Sequence, residues 1–256
     1  NQLTETFVVG SGDSVLSCNL ENLIHAHKNS SAKVTIGLWQ VPNPSEFGIV
    51  GLSNEQSGKI DGGLEEGYVV KFLEKPEPEN AFSDVINAGL YIIEPEVLEL
   101  IPKDEKYDFS KQLFPKLLEL GWPIFGKKIE GVWFDVGLPE ELIKAQHTLI
   151  RDREDLPFDM PKGKIVGVNG FEFTKSSSMA TNVGSVISSD SIIDKDTILE
   201  NSLVMTETQI GNNCKIYNSV IGSNVLIGNF CTIENCVIGD NVRIEENSSF
   251  VDEKLD

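Results

Sequence analysis

Toward its C-terminus the chain repeats itself, and the period of that repeat restricts its fold more than any other feature. Asn201-Ser-Leu-Val-Met, Asn218-Ser-Val-Ile-Gly and Asn235-Cys-Val-Ile-Gly align at intervals of 17 residues. The aliphatic series Ile187, Ile192, Ile198, Val204, Ile210, Ile216, Ile221, Ile227, Ile233, Ile238 and Ile244 advances by five or six. A half-buried strand advances by two, and an amphipathic helix by three or four. A beat near six suits a triangular solenoid in which each short side turns one residue inward. Gly or Asn follows many of these positions, as in Ile210-Gly211, Ile221-Gly222, Ile227-Gly228 and Ile238-Gly239. Both residues tolerate the backbone angles of a corner. Coils of this kind stack about 4.8 Å apart, each pairing its backbone with the next.

The pattern resembles the hexapeptide repeat of left-handed β-helices, and it predicts about four coils over residues 183–250. Cys214 and Cys231 fall one period apart and should stack in neighbouring coils as packed thiols. Many hexapeptide-repeat enzymes are acyltransferases that use a histidine base. The three histidines here, His25, His27 and His147, all lie outside the repeats, which counts against that activity.

The residues ahead of the repeats have a different texture. Phe7–Val9, Ala32–Val41, Tyr68–Leu73 and Ala88–Ile93 read as strands. Leu20–Asn29, Glu94–Ile101 (with Pro95 in its first turn), Phe109–Leu120 and Pro139–Arg151 read as helices. Strands alternating with helices imply an α/β domain. Asp152–Lys164, with Pro157, Pro161 and Gly163, reads as a linker. The expected division is an α/β domain over 1–151, a linker and solenoid entry over 152–182, and the solenoid over 183–256. Hydrophobic residues make up 40% of the 256, enough for a sizeable core. The formal charge is −19, from 40 acidic and 21 basic residues. Such a surface repels nucleic acid and anionic membranes at long range. No apolar run is long enough to span a bilayer. The four cysteines form no CxxC pair and no export signal opens the chain, so free thiols in a cytoplasmic setting are expected. The first residue is Asn1 rather than Met, which raises processing or truncation.

Four short segments could carry chemistry. Val9-Gly-Ser-Gly-Asp13 ends a strand with a carboxylate, where ligands bind in open α/β sheets; Gly-Asp is also a common turn. Phe72-Leu-Glu74-Lys75-Pro76 sets a lysine after a strand, able to face a phosphate; it also reads as a surface lysine before a proline turn. Ile86-Asn87-Ala-Gly89 offers an amide for sugar hydroxyls and a glycine for close approach, or simply a strand entry. Gly131-Val-Trp133-Phe-Asp135-Val-Gly places a second carboxylate ahead of a helix, or a turn residue at the helix approach. Two such carboxylates could hold one Mg²⁺, a hard cation that takes few protein oxygens and several waters.

Taken in order, these segments, together with Phe47-Gly48-Ile-Val and Asp108-Phe109 followed by Leu113-Phe114-Pro115, resemble the nucleoside-diphosphate-sugar pyrophosphorylases. The likeness runs from about Phe7 to Leu149. It implies a partial Rossmann-like nucleotidyltransferase domain that joins a sugar 1-phosphate to a nucleoside triphosphate, releasing pyrophosphate. By the same resemblance Asp13 and Asp135 ligate Mg²⁺, and Lys75 contacts the sugar phosphate. Gly48, Glu74, Asn87 and Gly89 line the sugar site, and Trp133 supports the surroundings of Asp135. The family's Gly-x-Gly-Thr-Arg loop, which cradles the triphosphate, has no counterpart in these residues. The expectation is therefore a fragment of impaired activity, with nucleobase and sugar left open. A non-catalytic regulatory or oligomerisation subunit is the alternative, since an exposed solenoid end favours self-association.

Overall fold

The computed structural model describes residues 3–156, 159 and 162–256. Pro157 and Pro161, on which part of the linker reading rests, lie outside them. Compactness divides the chain into two units, one running to Trp133 and the other starting at Phe134.

The first unit is built on a mixed sheet. Its elements are β1 (Phe7–Gly10), β2 (Ser14–Ser17), α1 (Leu20–Ser30), β3 (Val34–Gln40), β4 (Gly48–Ser53), β5 (Glu66–Glu74), β6 (Val85–Ile93), α2 (Phe114–Glu119) and β7 (Ile124–Lys128); the strand β8 (Val132–Asp135) follows. The sheet runs β1-β6-β3-β7-β5-β4. Only β3 and β7 pair in parallel; the other neighbours are antiparallel. Strand β3 is buried on both faces along most of its length, which explains why Val-Thr-Ile-Gly-Leu reads as a nearly unbroken apolar run. Asn19 caps α1, its side chain accepting from Asn22 N at 3.2 Å, and Ser31 closes the helix in the left-handed region. The helix lays Leu23 against Leu90 and Ile92 on one sheet face. Phe114, Leu113 and Leu117 cover the other, with Val34, Ile36, Tyr91 and Ile93.

Two expected helices take tighter or wider forms. Pro95–Leu100 is 3₁₀-helical, and the Glu94 carboxylate before it bonds Thr6 and His27 rather than capping the segment. Phe109–Leu120 opens with a π-helical turn over Phe109–Leu113 before α2 begins. Pro115 has no N–H to return to the Lys111 carbonyl. The wider turn instead brings Gln112 N and Leu113 N to the Asp108 carbonyl, at 3.0 and 3.2 Å.

His27 is buried, its Nδ1 2.8 Å from Thr35 Oγ1 and its Nε2 donating to Glu94 Oε1 at 3.0 Å. The hydrogen bond from His27, ahead of one from Thr6, holds the Glu94 carboxyl below the usual carboxylate range despite partial burial. A depressed folded-state pKa stabilises above the unfolded value, about 4.3, and that contribution is lost as pH falls through the folded value. The wild-type chain should therefore lose denaturant resistance below about pH 4 more steeply than Glu94→Gln. Urea midpoints at several pH values measure the difference.

The second unit is a β-solenoid flanked by α3 (Pro139–Arg151). Its strands stack in register along three faces, as in Ile198↔Lys215↔Thr232↔Ser249. There are about five turns rather than the expected four. The ladders begin with Gly170–Phe173 and Ser177–Ser178, where the aliphatic beat is too irregular to read. The inward column holds Ile187, Ile193, Leu199, Val204, Ile210, Ile216 and Ile221, continuing to Ile244. The expected Ile192 and Ile198 are off by one: Ile192 is exposed, and Ile193 and Leu199 point inward in their place.

Three corners per coil carry left-handed residues. Asn201, Asn218, Asn235 and Asp252 form one column; Asp190, Glu207, Asn224 and Asn241 a second; Asp196, Asn213, Phe230 and Asn247 the third. Asparagine amides link successive coils, Asn218 donating to Asn235 at 3.3 Å and Asn235 to Asp252 at 3.1 Å. The glycines after the inward residues serve another purpose than the corner angles expected of them. Gly211 and Gly222 have no positive φ, but a Cβ on either would stand 2.6 Å from Asn229 Oδ1 or Asp240 Oδ1. They are glycines because the next coil leaves no room. Cys214 and Cys231 do stack, buried and unpaired, each Sγ near a carbonyl of the following coil at 3.1 Å. Helix α3 packs Ile143 and Ile150 on Val186, Leu203 and Val220 of one face, so it belongs with the solenoid in compactness. Among the described residues no helix is long and apolar enough to cross a membrane.

Candidate active site

The carboxyl ends of β1, β3 and β7 point the same way, since both β1 and β3 run antiparallel to β6 and β7 runs parallel to β3. Asp13 follows β1 at that end and is exposed. Strand β6 enters from the same end, and its pairing with β3 skips from Leu90 opposite Gly37 to Asn87 opposite Leu38. Ala88 and Gly89 are therefore extra residues, a bulge of the kind that re-aims side chains beside functional sites. Gly89 sits at φ +74, and a Cβ there would lie 2.8 Å from Ser11 Cβ. Ser11 N donates to the Gly89 carbonyl at 2.8 Å. The bulge thus holds the Ser11–Asp13 loop beside Asn87. Gly89→Ala should destabilise the unit by about 1–3 kcal/mol through the strained φ and the collision. Thermal unfolding reads that cost, and the Asn87 and Ser11 resonances should move with it.

The Asn87 amide is fully oriented. Its Nδ2 donates to Tyr91 Oη at 2.8 Å and to Ser110 Oγ at 3.3 Å, and its Oδ1 accepts from Gly89 N at 3.0 Å. A backbone N–H only donates, so the oxygen must face it. Both amide hydrogens are spent within the protein, and what Asn87 still offers is an acceptor. Glu74 ends β5 opposite Gly48 of β4. A Cβ on Gly48 would meet Glu74 Oε2 at 2.5 Å and Phe72 Cζ at 2.6 Å, so glycine here leaves room for the carboxylate.

Burial first, and then the charge of Asp108, pushes the Glu74 carboxyl above its ordinary range; Lys111, Lys75 and a hydrogen bond from Ser110 pull the other way. The Tyr91 phenol is raised mainly by burial, opposed by the Asn87 hydrogen bond and reinforced by Glu74, Asp108 and Asp13. It therefore stays protonated at neutral pH. Lys75 is exposed and left-handed at φ 45 immediately before Pro76, an uncommon state for a residue with a side chain. Its N–H donates to the Phe47 carbonyl at 2.9 Å. Trp133 packs edge-on to Phe47 at 5.5 Å, and its Nε1 donates to the Ala88 carbonyl at 2.9 Å. It thereby braces the Asn87–Gly89 bulge.

The structure thus gathers Asp13, Gly48, Glu74, Asn87 and Gly89 of the expected site in the first unit, with Lys75 directly after Glu74 and Trp133 against the bulge. Asp135 ends β8, belongs to the second unit and is exposed. Tyr91, Ser110 and Lys111 were not anticipated. The signal for Tyr91 was an Asn-x-Gly inside an apolar run, which marks a bulge. Ser110 and Lys111 gave no local signal beyond following Asp108-Phe109. The described residues contain no cluster of three or more His, Cys, Asp or Glu placed to hold a metal. A separate cavity of 340 Å³ lies on the α1 side, lined by Cys18, Asn19, Trp39, Lys127 and Lys128. His147 contacts the Gly184 carbonyl through Nε2, and His27 is enclosed as described, so neither is a free base for acyl transfer.

Residues 1–152 match the nucleotidyl transferase family model, and residues 170–254 match that of the GMPPB C-terminal domain. The chain is 32% identical over 171 residues to a UTP–glucose-1-phosphate uridylyltransferase of Synechocystis sp., covering 64% of this chain and 41% of that protein. It is 33% identical over 148 residues to a mannose-1-phosphate guanylyltransferase of Mycobacterium tuberculosis, covering 57% and 38%. It is 28% identical over 229 residues to a glucose-1-phosphate adenylyltransferase of Clostridium kluyveri, covering 80% and 56%. The chain thus spans roughly half the length of these relatives or less. With more than half of its own residues matched by the family model, the chain belongs to the nucleotidyl transferase family.

Proposed function

We propose that the protein transfers a nucleotidyl group from a nucleoside triphosphate to a sugar 1-phosphate, and that this chain supplies the sugar-phosphate side of the site. The observation that supports it most is the convergence of Asn87, Glu74 and the Asp13 loop beside Lys75, in a family whose similar members are named for sugar 1-phosphates. A phosphate oxygen of the sugar 1-phosphate attacks the α-phosphorus; the new P–O bond forms as the bond to pyrophosphate breaks. No covalent intermediate on the protein is required, so catalysis is positioning and charge neutralisation. Lys75 faces the sugar phosphate and offsets its charge, which otherwise repels the triphosphate. Asn87 and Glu74 accept hydrogen bonds from sugar hydroxyls, and Tyr91 keeps Asn87 turned toward them. By the family resemblance Asp13 and Asp135 would be the ligands of Mg²⁺, which would supply neutralisation of phosphoryl charge.

A polypeptide limited to these 256 residues is expected to turn over slowly, because they contain no glycine-rich triphosphate loop. Its residual formation of nucleoside-diphosphate sugar should fall by about 100-fold or more in Asp13→Asn. Chromatographic detection of the product checks both statements. Robust turnover would contradict the impairment, and product formation indifferent to Asp13 would contradict the assignment of that carboxylate.

A further inference from the structure

A triangular solenoid has three outer faces, and in this chain they differ. One turns Val186, Leu203 and Val220 outward, and α3 packs on them. A second turns out Glu200, Lys215 and Glu234, charges that belong in water. The third carries an outward column, one residue per coil and in register: Ser177, Ile192, Gln209, Leu226 and Arg243. Ile192 is 49% exposed and Leu226 40%. Phe230, 57% exposed, holds the left-handed corner that ends this side of its coil, where the neighbouring coils place Asn213 and Asn247. Asparagine adopts that angle at lower cost, so the corner does not call for the ring. Helices α1, α2 and α3 are each seated on other surfaces, and none of them covers this face.

Read from either end, the column runs polar, aliphatic, Gln209, aliphatic, polar. A two-fold axis lying across it at Gln209 sets Ile192 of one copy on Leu226 of another, and Leu226 on Ile192. We propose that this face pairs two copies of the chain, their solenoids antiparallel about Gln209. An amide both donates and accepts, so each Gln209 can bond its counterpart. Arg243 falls against Ser177 of the second copy, one coil from the Asp194 carboxylate of that copy. A parallel pairing would instead press Arg243 on Arg243, and like charges directly opposite are destabilising. Such a contact is isologous, the commonest way a chain meets itself. The face spans five coils, about 24 Å by about 13 Å at the usual strand spacing and rise. It buries roughly 300–400 Å² per copy, against about 800 Å² for a standard interface. Each chain also carries a formal charge of −19, which opposes contact. The pair is therefore weak, with a Kd on the order of 0.1 mM. Nothing in this pairing depends on the sugar-phosphate reading.

Sedimentation equilibrium of the 256-residue chain tests it, from about 10 µM to about 1 mM protein in about 0.3 M NaCl to screen the net charge. Wild type should pass from monomer to dimer over that range. Leu226→Glu should weaken dimerisation by about 10-fold or more, since it buries a charge. Gln209→Glu keeps the shape but opposes two carboxylates, and should weaken it comparably. A bismaleimide spanning about 8 Å, less than two coil spacings, reads the geometry, with wild type as the blank for half-buried Cys18. Gln209→Cys should link to itself. Ile192→Cys and Leu226→Cys should link when mixed, and several-fold less when each is alone. A monomer at every concentration would overturn the proposal, as would a dimer indifferent to Leu226→Glu and Gln209→Glu. Self-linking of Ile192→Cys equal to that of the mixture would overturn the antiparallel pairing.

Discussion

Replacing Phe114 by alanine is expected to destabilise the first unit by about 3–5 kcal/mol, the range for truncating a fully buried aromatic. The ring is 0% exposed and meets Phe72 and Tyr91 at 5.4 Å each and Phe109 at 6.0 Å. Edge-to-face pairs of this kind add to simple area burial, by about 0.5–1.5 kcal/mol each. The loss should also reach the site, because Tyr91 orients Asn87 and Phe109 precedes Ser110. Phe114→Leu keeps most of the volume and should cost far less, about 1–2 kcal/mol. Urea denaturation followed by aromatic fluorescence measures both, and equal costs for the two variants would show that the ring cluster is not what holds this face.

Ile216→Ala should cost about 2–5 kcal/mol, and Ile244→Ala clearly less. Ile216 is 0% exposed and stacks between Leu199 and Ile233 in the coils before and after it. Ile244 stacks on Ile227, and among the described residues no strand pairs beyond it on that face. In a solenoid each coil is stabilised by its neighbours, so a central cavity weakens two interfaces and a terminal one weakens a single interface. Thermal unfolding of the two variants compares them directly. Equal costs would mean that the stacked column does not transmit stability between coils.

The solenoid was legible because Asn201, Asn218 and Asn235 repeat a corner that needs left-handed angles, and no alternative period fits. Its register was not, where two apolar residues adjoin. Ile192-Ile193 and Ile198-Leu199 each offer two candidates for one inward position, and only stacking against the next coil chooses between them. Gly211 and Gly222 show the same limit. A glycine signals either a special angle or a lack of space, and the sequence alone does not distinguish the two. In the first unit the motifs around Asp13 and Lys75 could be read locally, since each follows a strand end. The Ser110 contact spans 23 residues to Asn87 and depends on a π turn forced by Pro115, so propensity favoured a plain helix over Phe109–Leu120. The Trp133 indole also bonds the bulge at Ala88, a partner no periodicity points to.

The account turns on a sugar 1-phosphate seating between Lys75, Glu74 and Asn87. Chemical-shift mapping of the isotopically labelled chain with glucose 1-phosphate and mannose 1-phosphate addresses this most directly. At least one of the two should give saturable shifts centred on Gly48, Lys75, Asn87, Gly89 and the Trp133 indole. Lys75→Ala should weaken that binding by about 10-fold or more. Shifts confined to the solenoid or to the cavity at Cys18, Trp39 and Lys128, or saturation indifferent to Lys75, would contradict it.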